Sequence, residues 1–251
     1  MKKIFNITLC VIAYFIGIVP VISQPDVIWD RDYGESNTSE ELKKVEELPS
    51  GGYIACGSSG SNAWLLKVDE NSNEQSSWYY SGFTYVENFD QTADGGFIVI
   101  GSGPENEGDL NDILVVKVNS DGIEEWRGYY GYGSTLSEQL GKSIHQLSDG
   151  SYIVAGTIFL GNLQYYLTKI NENGEQIWEY DYGNTQNQEV NDLIVSEEGN
   201  FLIIGKDNNR TGTALFDQDG SMIWSEWDED QGESWGTSIL ESSDGYFYIA
   251  G

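Results

Sequence analysis

One short hairpin sequence recurs five times along the chain and constrains its fold more than any other feature. It reads SGGYIACG at residues 50–57, ADGGFIVIG at 93–101, SDGSYIVAG at 148–156, EEGNFLIIG at 197–205 and SDGYFYIAG at 243–251. Each copy joins a glycine-containing turn to a short, almost wholly apolar run, which is typical of a strand covered on both faces. The repeat therefore predicts several similar sheets that cover one another.

Two independent markers give the length of the repeating unit. The tryptophans are separated by 49, 48, 52 and 46 residues and are Trp29, Trp78, Trp126, Trp178 and Trp224. The first glycines of the five turns are separated by 44, 55, 49 and 46 residues and are Gly51, Gly95, Gly150, Gly199 and Gly245. A period near 50 without a helical pattern indicates propeller blades or a β-solenoid.

The third unit shows how one repeat is built. We predict strands at 141–148, 151–157, 165–171 and 175–183, with a loop at 158–164 and tight turns at the other two connections. Glycine suits these turns because it adopts positive φ without steric cost. Each unit is thus predicted to be a four-stranded antiparallel sheet.

A sheet with two apolar faces can bury both by stacking against similar sheets around an axis, which favours a propeller. The predicted fold is all-β, a β-propeller of four-stranded antiparallel blades with four full blades plus part of a fifth. Residues 29–41 are predicted to supply a fourth strand without its blade, and the tryptophans to fill the wedges between blades. We expect residues 24–251 to be the propeller repeats, truncated at the C-terminus.

The charge of the chain limits its partners. The net charge is −29, with 41 acidic and 12 basic residues, and such a surface repels nucleic-acid phosphates and anionic lipid. We therefore expect the protein to bind neither nucleic acid nor a membrane surface.

The N-terminal segment predicts export. Residues 1–23 start with two lysines after Met1 and continue with an apolar run, which is typical of a signal peptide, here cleaved between Ser23 and Gln24. The run is also long enough to leave an uncleaved anchor as the alternative. Cys10 follows Leu9, which does not fit a lipoprotein signal, and Cys56 is predicted to be a buried, unpaired residue. We expect a secreted or cell-surface protein, without membrane insertion after cleavage.

The repeats resemble those of secreted bacterial β-propellers of the delta-60 type. The matching stretches are GGYIACG and NAWLLKVDENSNEQSSW within 51–78, DGGFIVIG and NDILVVKVNSDGIEEW within 94–126, and DGSYIVAG and LTKINENGEQIW within 149–178. The stretch from third strand to tryptophan is also similar to quinoprotein-like propeller repeats. The resemblance implies a propeller at the bacterial cell surface or outside the cell, and it implies no particular activity.

The connections between units predict a binding face. Each contains a carboxylate, and the candidates are Glu40, Glu87, Glu138, Glu189 and Glu233. A mouth lined by carboxylates and tyrosines can bind a cation, an amine or a sugar. The candidate ligand-binding residues are Glu138, Glu189, Glu233, Tyr130, Tyr132, Tyr182, Trp235 and His145. Alternatively, each glutamate satisfies backbone donors in its own loop, which its irregular spacing from the turn glycine favours.

Few groups suit catalysis or metal binding. His145 is the sole histidine, predicted on an innermost strand, where a channel-lining general base is the alternative to a structural role. The lysines at one third-strand position, Lys67, Lys117 and Lys169, are interpreted as reaching a carboxylate or water. Residues 119–122 and 217–220 resemble calcium loops but lack the downstream glutamate, so we predict hairpin turns there. No catalytic residue, metal site or cofactor is predicted.

Three functional hypotheses result. The first is an exported, non-enzymatic propeller that serves as a binding or surface-scaffold module for an unknown protein or polysaccharide partner. The second is a glycan-binding or accessory module of a polysaccharide-degrading protein, based on loop aromatics expected outside the packing positions, which are Tyr130, Tyr132, Tyr182, Trp227 and Trp235. The third is a hydrolase in which His145 and a loop carboxylate act as acid and base.

Overall fold

The computed structural model describes residues 5–6, 31–34, 39–132, 138–183, 186–228, 233–242 and 245–251. The predicted signal peptide with its cleavage point, Cys10 and Trp29 lie outside the described residues, apart from Phe5–Asn6. Regular structure in these described ranges is entirely β-strand. They contain no helix that is long and apolar enough to cross a membrane.

Four antiparallel sheets, each with its strands in sequence order, follow one another along the chain. Blade 1 consists of β2 (Glu40–Glu47), β3 (Tyr53–Ser59), β4 (Asn62–Val68) and β5 (Glu74–Ser81). Blade 2 consists of β6 (Tyr85–Gln91), β7 (Phe97–Gly103), β8 (Asp112–Val118) and β9 (Glu124–Tyr130). Blade 3 consists of β10 (Leu140–Gln146), β11 (Tyr152–Phe159), β12 (Leu163–Ile170) and β13 (Gln176–Tyr182). Blade 4 consists of β14 (Gln188–Val195), β15 (Phe201–Asp207), β16 (Arg210–Phe216) and β17 (Met222–Trp227).

A fifth sheet is shorter. Blade 5 contains β18 (Ser238–Glu241) and β19 (Phe247–Ala250), and β1 (Phe5–Asn6) pairs in parallel with β19. The arrangement confirms the predicted four full blades plus part of a fifth.

Neighbouring blades pack face to face, and four hydrophobic clusters are each shared between two of them. Val99 of blade 2 packs in one cluster with Leu65 of blade 1. Ile98, the adjacent residue of the same strand, packs in another cluster with Val154 of blade 3. Successive side chains of a strand point to opposite faces, so one apolar strand serves two interfaces. This is why the second strands are apolar throughout.

The first strands are innermost, and each contacts the first strand of the next blade. In blades 1 to 4 the first strand carries a β-bulge at the same place, and the extra residues are Lys43, Glu87, Lys142 and Asn191. Opposite these bulges lie the last glycines of the recurrent hairpin, Gly57, Gly101, Gly156 and Gly205. A Cβ atom on Gly101 would collide with the carbonyl oxygen of Tyr85. The glycine therefore recurs because the bulged backbone approaches it closely.

Aromatic residues of the fourth strands join each blade to the next. The ring of Trp126 lies against Gly174, and its Nε1 donates to the carbonyl oxygen of Glu172 at 3.0 Å. Trp178 similarly packs on Phe201 of blade 4. The rings at the interfaces are half-buried, so the predicted wedge role is confirmed although the rings keep one exposed edge.

The tryptophans do not all share one register, contrary to what their spacing suggests. Trp126 and Trp178 lie opposite Lys117 and Lys169, whereas Trp78 lies opposite Leu65. Lys67 of blade 1 pairs with Ser76, so Trp78 sits two cross-strand pairs further along its strand. Its ring still reaches the next blade, where it lies against Gly122.

A second aromatic contact recurs more regularly than the tryptophan. The Tyr80 hydroxyl donates to the carbonyl oxygen of Gly122 at 2.9 Å, and that of Tyr130 donates to Gly174 at 2.7 Å. Tyr33 makes the same bond at 2.8 Å to Ser72, which has a φ of 62° at the turn position that glycine holds elsewhere. Residues 31–34 therefore contact blade 1 as the end of a preceding fourth strand would.

Local predictions are mostly confirmed. The carboxylate oxygen Oδ1 of Asp217 accepts the backbone amides of Asp219 and Ser221, and 119–122 forms a similar turn. Cys56 is buried and unpaired, and burial raises the pKa of its thiol to about 12. The predicted loop at 158–164 is too long, because Phe159 still pairs with Leu163 across the hairpin.

Candidate functional site

The innermost strands of all five blades border one central channel of about 420 Å³. The bulged residues Lys43, Glu87, Lys142 and Asn191 line it together with Lys44, His145 and Asp192. Three lysines and the sole histidine therefore meet inside a chain whose net charge is −29.

The lysines of the channel form ion pairs within and between blades. Lys142 of blade 3 binds Glu87 of blade 2 at 2.8 Å. Lys44 of blade 1 binds Glu46 at 2.7 Å and donates to the carbonyl oxygen of Phe89 at 2.8 Å. The bond from Lys44 to Phe89 and the pair of Lys142 with Glu87 connect successive blades. A neighbouring carboxylate balances the positive charge of each of these two lysines.

His145 is held on both sides. Its Nε2 lies 2.7 Å from the carbonyl oxygen of Leu193, and its Nδ1 lies 3.4 Å from a carboxylate oxygen of Asp90. Each ring nitrogen therefore faces an oxygen acceptor of the protein. The carboxylate in contact with His145 is Asp90 of the inner strand β6, and Glu87 of the predicted connections lines the same channel.

Three of the predicted loop aromatics, Tyr130, Tyr182 and Trp227, end strands instead, and the first two of them pack between blades. Tyr130 ends β9, is only 5 % exposed and bonds to Gly174, so its expected place outside the packing positions is wrong. Tyr182 ends β13, packs on Phe216 and donates its hydroxyl to the carbonyl oxygen of Gly220. Burial raises the pKa of Tyr182 to about 12. Both side chains join blades, which explains why these tyrosines recur in the sequence.

Tyr132 remains at the surface but has a partner. Its hydroxyl donates to Asp181 at 2.7 Å, and its ring packs edge-on against Tyr166. Burial and this hydrogen bond raise the pKa of the Tyr132 hydroxyl. The side chain thus bridges the connection after blade 2 to the fourth strand of blade 3.

The predicted glutamates do not converge on one site. Glu233 accepts a hydrogen bond from Asn209 at 3.4 Å, and Glu87 binds Lys142 in the channel. Glu138 is exposed, and Glu189 lies within β14 opposite Lys206. Within the described ranges, no group of three or more histidine, cysteine or acidic residues could hold a metal ion.

The hairpin between β15 and β16 carries a different constellation, which we call the blade 4 hairpin (Lys206–Arg210). A depression of about 300 Å³ beside it is lined by Gln186, Asp207, Asn208, Arg210 and Trp227. The Trp227 side chain is 51 % exposed although it belongs to β17. Asn208 has a φ of 59°, a left-handed conformation that asparagine tolerates better than most residues.

Trp235 lies on the other face of the same hairpin. Its ring is 48 % exposed, and the Nζ atom of Lys206 lies 5.7 Å from the ring centroid. Lys206 and Asp207 are neighbours in β15, so their side chains point to opposite faces of the sheet. Trp235 lies on the face of Lys206, and the depression lies on the face of Asp207. Ser234 holds the loop by donating its amide to Asn209 at 3.1 Å.

Reasoning from the sequence missed Gln186, Asp207, Asn208 and Arg210. The available signal was the polar run DNNR at 207–210, which separates two apolar strands and provides turn-forming asparagines. The missing information was that Trp227, a residue distant in sequence, lies beside this turn.

The third-strand lysines differ in their partners. Lys117 is buried and binds Asp94 at 2.8 Å and Glu125 at 2.9 Å, and Lys169 binds Asp149 at 3.0 Å. Burial works against ionisation of Asp94, but hydrogen bonds from Lys117 and its turn lower its pKa to about 2. The carboxylate contact allowed by the prediction is confirmed for these two lysines, whereas no carboxylate of the described residues pairs with Lys67.

Comparison with known proteins supports the fold. No protein-family description matches the chain, and no curated protein sequence matches it. A Lactobacillus plantarum protein superimposes with a TM-score of 0.58 at 10% identity over 84% of this chain and 59% of its own. A protein of unknown function from Dyadobacter fermentans gives 0.56 at 10% identity over 84% and 74%. A thermostable family-43 glycoside hydrolase gives 0.50 at 12% identity over 82% and 81%.

At such identities the likeness concerns the fold alone. Sequential four-stranded antiparallel sheets, shared interblade cores and propeller-like neighbours agree with one another. The chain is an incomplete β-propeller of four full blades and part of a fifth.

Proposed function

We propose that the protein is an exported, non-enzymatic binding module that recognises a saccharide at the blade 4 hairpin. The observation that carries this proposal is the exposed indole of Trp227 beside the carboxylate, amide and guanidinium groups of Asp207, Asn208 and Arg210. An aromatic face combined with a few convergent polar groups suits a ligand with one apolar face and many hydroxyl groups.

The polar side of the depression supports the same ligand class. Gln188 is 7 % exposed and donates its amide to Asp207 at 2.9 Å. This bond fixes the Asp207 carboxylate, which lines the depression. A carboxylate held in this way can accept hydrogen bonds from ligand hydroxyl groups.

The channel supports a non-enzymatic role. Its lysines Lys43, Lys44 and Lys142 are paired with Glu41, Glu46 and Glu87. Both nitrogens of His145 face protein oxygen atoms. A general base needs a nitrogen or oxygen within reach of a substrate proton, and the contacts of His145 are made within the protein instead. We therefore assign the channel contacts to holding the blades together.

The repeat pattern supports placement of the chain among exported delta-60-type propellers. The turns, apolar second strands and fourth-strand aromatics that carry the resemblance all have counterparts in the blades. Export places the site outside the cytoplasm, where polysaccharides are available. N-terminal sequencing of the secreted chain tests export together with the predicted cleavage. A first residue other than Gln24 would contradict the cleavage point, and a chain that stays in the cytoplasm would contradict export.

The saccharide proposal is tested by a glycan array followed by titration of the best-bound oligosaccharide. Trp227→Ala is expected to weaken binding at least tenfold, equivalent to about 1.4 kcal/mol, because the stacking surface is lost. Tyr85→Ala is the matched control, since Tyr85 is 49 % exposed on another blade. It should bind as the parent does. An array without signal overturns the proposal, and equal binding by Trp227→Ala overturns the assignment to blade 4.

A further inference from the structure

One lysine of the propeller differs from its structural equivalents in a way that indicates a second ligand site. Lys67, Lys117 and Lys169 lie opposite equivalent isoleucines of the second strands, Ile54, Ile98 and Ile153. The three lysines therefore occupy the same place in blades 1, 2 and 3, and their surroundings can be compared directly.

Blade 1 lacks both carboxylates that hold the lysine of blade 2. Asp94 lies in the turn between the first two strands, and Ser50 stands at the corresponding turn position. Glu125 is the bulged residue of β9, and the bulged residue of β5 is Gln75. Both anionic groups have thus been replaced by neutral ones, whereas the lysine has been kept.

No carboxylate of the described residues forms an ion pair with Lys67. The side chain is half-buried and borders a groove of about 650 Å³ between the turns of blades 1, 2 and 3. Leu48 and Phe97, which are 7 % and 3 % exposed, form apolar parts of this groove, and Ser50 and Ser120 contribute hydroxyl groups.

We infer that Lys67 binds the carboxylate of a small organic acid whose apolar body lies in this groove. A partly desolvated ammonium group is stabilised by an anion in contact with it. In blades 2 and 3 that anion is an aspartate of the chain, and in blade 1 the ligand carboxylate takes its place. This site is separate from the blade 4 hairpin and does not depend on the saccharide proposal.

The observations favour a carboxylate over a phosphate group. Both equivalent lysines are bound by carboxylates, at 2.8 Å and 3.0 Å from Asp94 and Asp149, so the local geometry suits that group. A net charge of −29 also repels a dianion more strongly than a monoanion. The carboxylate of Asp90 also lines the groove, where it faces His145 and accepts the backbone amide of Gln146. Leu48, Phe97 and Leu147 offer apolar surface to a ring or an alkyl chain.

The experiment is NMR titration of the full chain, carrying ¹³C,¹⁵N-labelled lysine, with sodium benzoate. Saturable shifts of the Lys67 side-chain signals are expected. Benzyl alcohol, which lacks the carboxylate, and inorganic phosphate should each bind at least tenfold more weakly. Benzoate that shifts the Lys67 signals no more than benzyl alcohol or phosphate does would overturn the inference.

Two variants and a control locate the effect. Lys67→Met should abolish benzoate binding, and Ser50→Asp should weaken it at least tenfold because the new aspartate takes the place of the ligand. Ser50→Asp should unfold at no lower a temperature than the parent, which excludes misfolding as the cause. Lys169→Met is the control and should bind benzoate as the parent does. Undiminished binding by Ser50→Asp, or equal losses in both lysine variants, would contradict the proposed site.

Discussion

At the scale of single residues, the turns owe their shape to carboxylate and amide oxygens that accept backbone hydrogens. Asp149 accepts the amide of Ser151 at 3.0 Å, accepts its hydroxyl, and binds Lys169 at 3.0 Å. The hydrogen bond from the Ser151 hydroxyl, followed by the contact with Lys169, lowers the pKa of Asp149 to about 2. The ionised aspartate therefore closes the turn and fixes the lysine of the third strand.

Asp149→Asn should lower the free energy of unfolding at pH 7 by about 1 kcal/mol, a value that allows for solvent screening of this exposed group. The unfolded pKa is about 3.9 and the folded value is lower. The loss in free energy of unfolding relative to the parent should therefore be complete above about pH 4. It should shrink towards pH 2, where Asp149 of the parent is protonated first in the unfolded and then in the folded state. Urea unfolding at pH 7, 5 and 3 measures it. Asp121→Asn, a change in an exposed turn, is the control, and a difference that grows in acid would refute the argument.

At the scale of elements, the bulge of each first strand and the glycine of each second strand form one device. The bulge inserts Glu87 in β6 and brings the carbonyl oxygen of Tyr85 onto Gly101. It also sets which residues border the channel, since the inserted residues of all four blades line it. The apolar strand and the polar channel are thus linked through a single backbone irregularity.

Gly101→Ala should destabilise the protein by about 2–3 kcal/mol, because the added methyl group forces the bulged backbone to move. Gly108→Ala is the comparison: Gly108 has a φ of 91° and open space around it, so only the backbone conformation is strained, at about 1 kcal/mol. Thermal and urea unfolding of the two variants measure the difference. Equal losses of unfolding free energy in the two variants would show that the contact between residue 101 and the Tyr85 carbonyl oxygen adds no cost of its own.

At the scale of the whole molecule, the blades are joined by contacts between residues distant in the chain. The Tyr130 hydroxyl reaches Gly174, 44 residues away, and the Tyr80 hydroxyl reaches Gly122, 42 residues away. Inner-strand pairs such as Lys142 with Glu87 add polar contacts across 55 residues. Each interface therefore has an apolar centre with polar contacts at both edges.

Tyr130→Phe should lower the free energy of unfolding by about 1 kcal/mol, because the ring stays in the core while the interblade hydrogen bond is lost. Tyr85→Phe is the control, since the Tyr85 side chain is 49 % exposed. It should leave stability unchanged within about 0.5 kcal/mol. Chemical unfolding of both variants provides the measurement, and an unaffected Tyr130→Phe would assign the interface to packing alone.

Part of the candidate sites was predictable and part was not. The sequence pointed to Trp227 and Trp235 as aromatics outside the packing positions, and both are exposed at the blade 4 hairpin. The same reasoning failed for Tyr130, because the end of a strand and the start of a loop look alike in sequence. It also treated Lys67 and its equivalents as one group, although only the neighbouring turn and bulge show that their partners differ.

The sequence by itself determined the repeating unit, its four strands, the positions of its turns and the number of blades. These features depend on local patterns: alternating apolar runs, turn residues and a period near 50 residues. The tertiary structure decided which aromatics are buried, which lysine has no carboxylate and which polar residues meet at the blade 4 hairpin. Those outcomes depend on which residues of adjacent strands and blades face each other. The contact between Tyr130 and Gly174 is set by the packing of whole sheets, and the recurrence of the tyrosine does not by itself identify its partner.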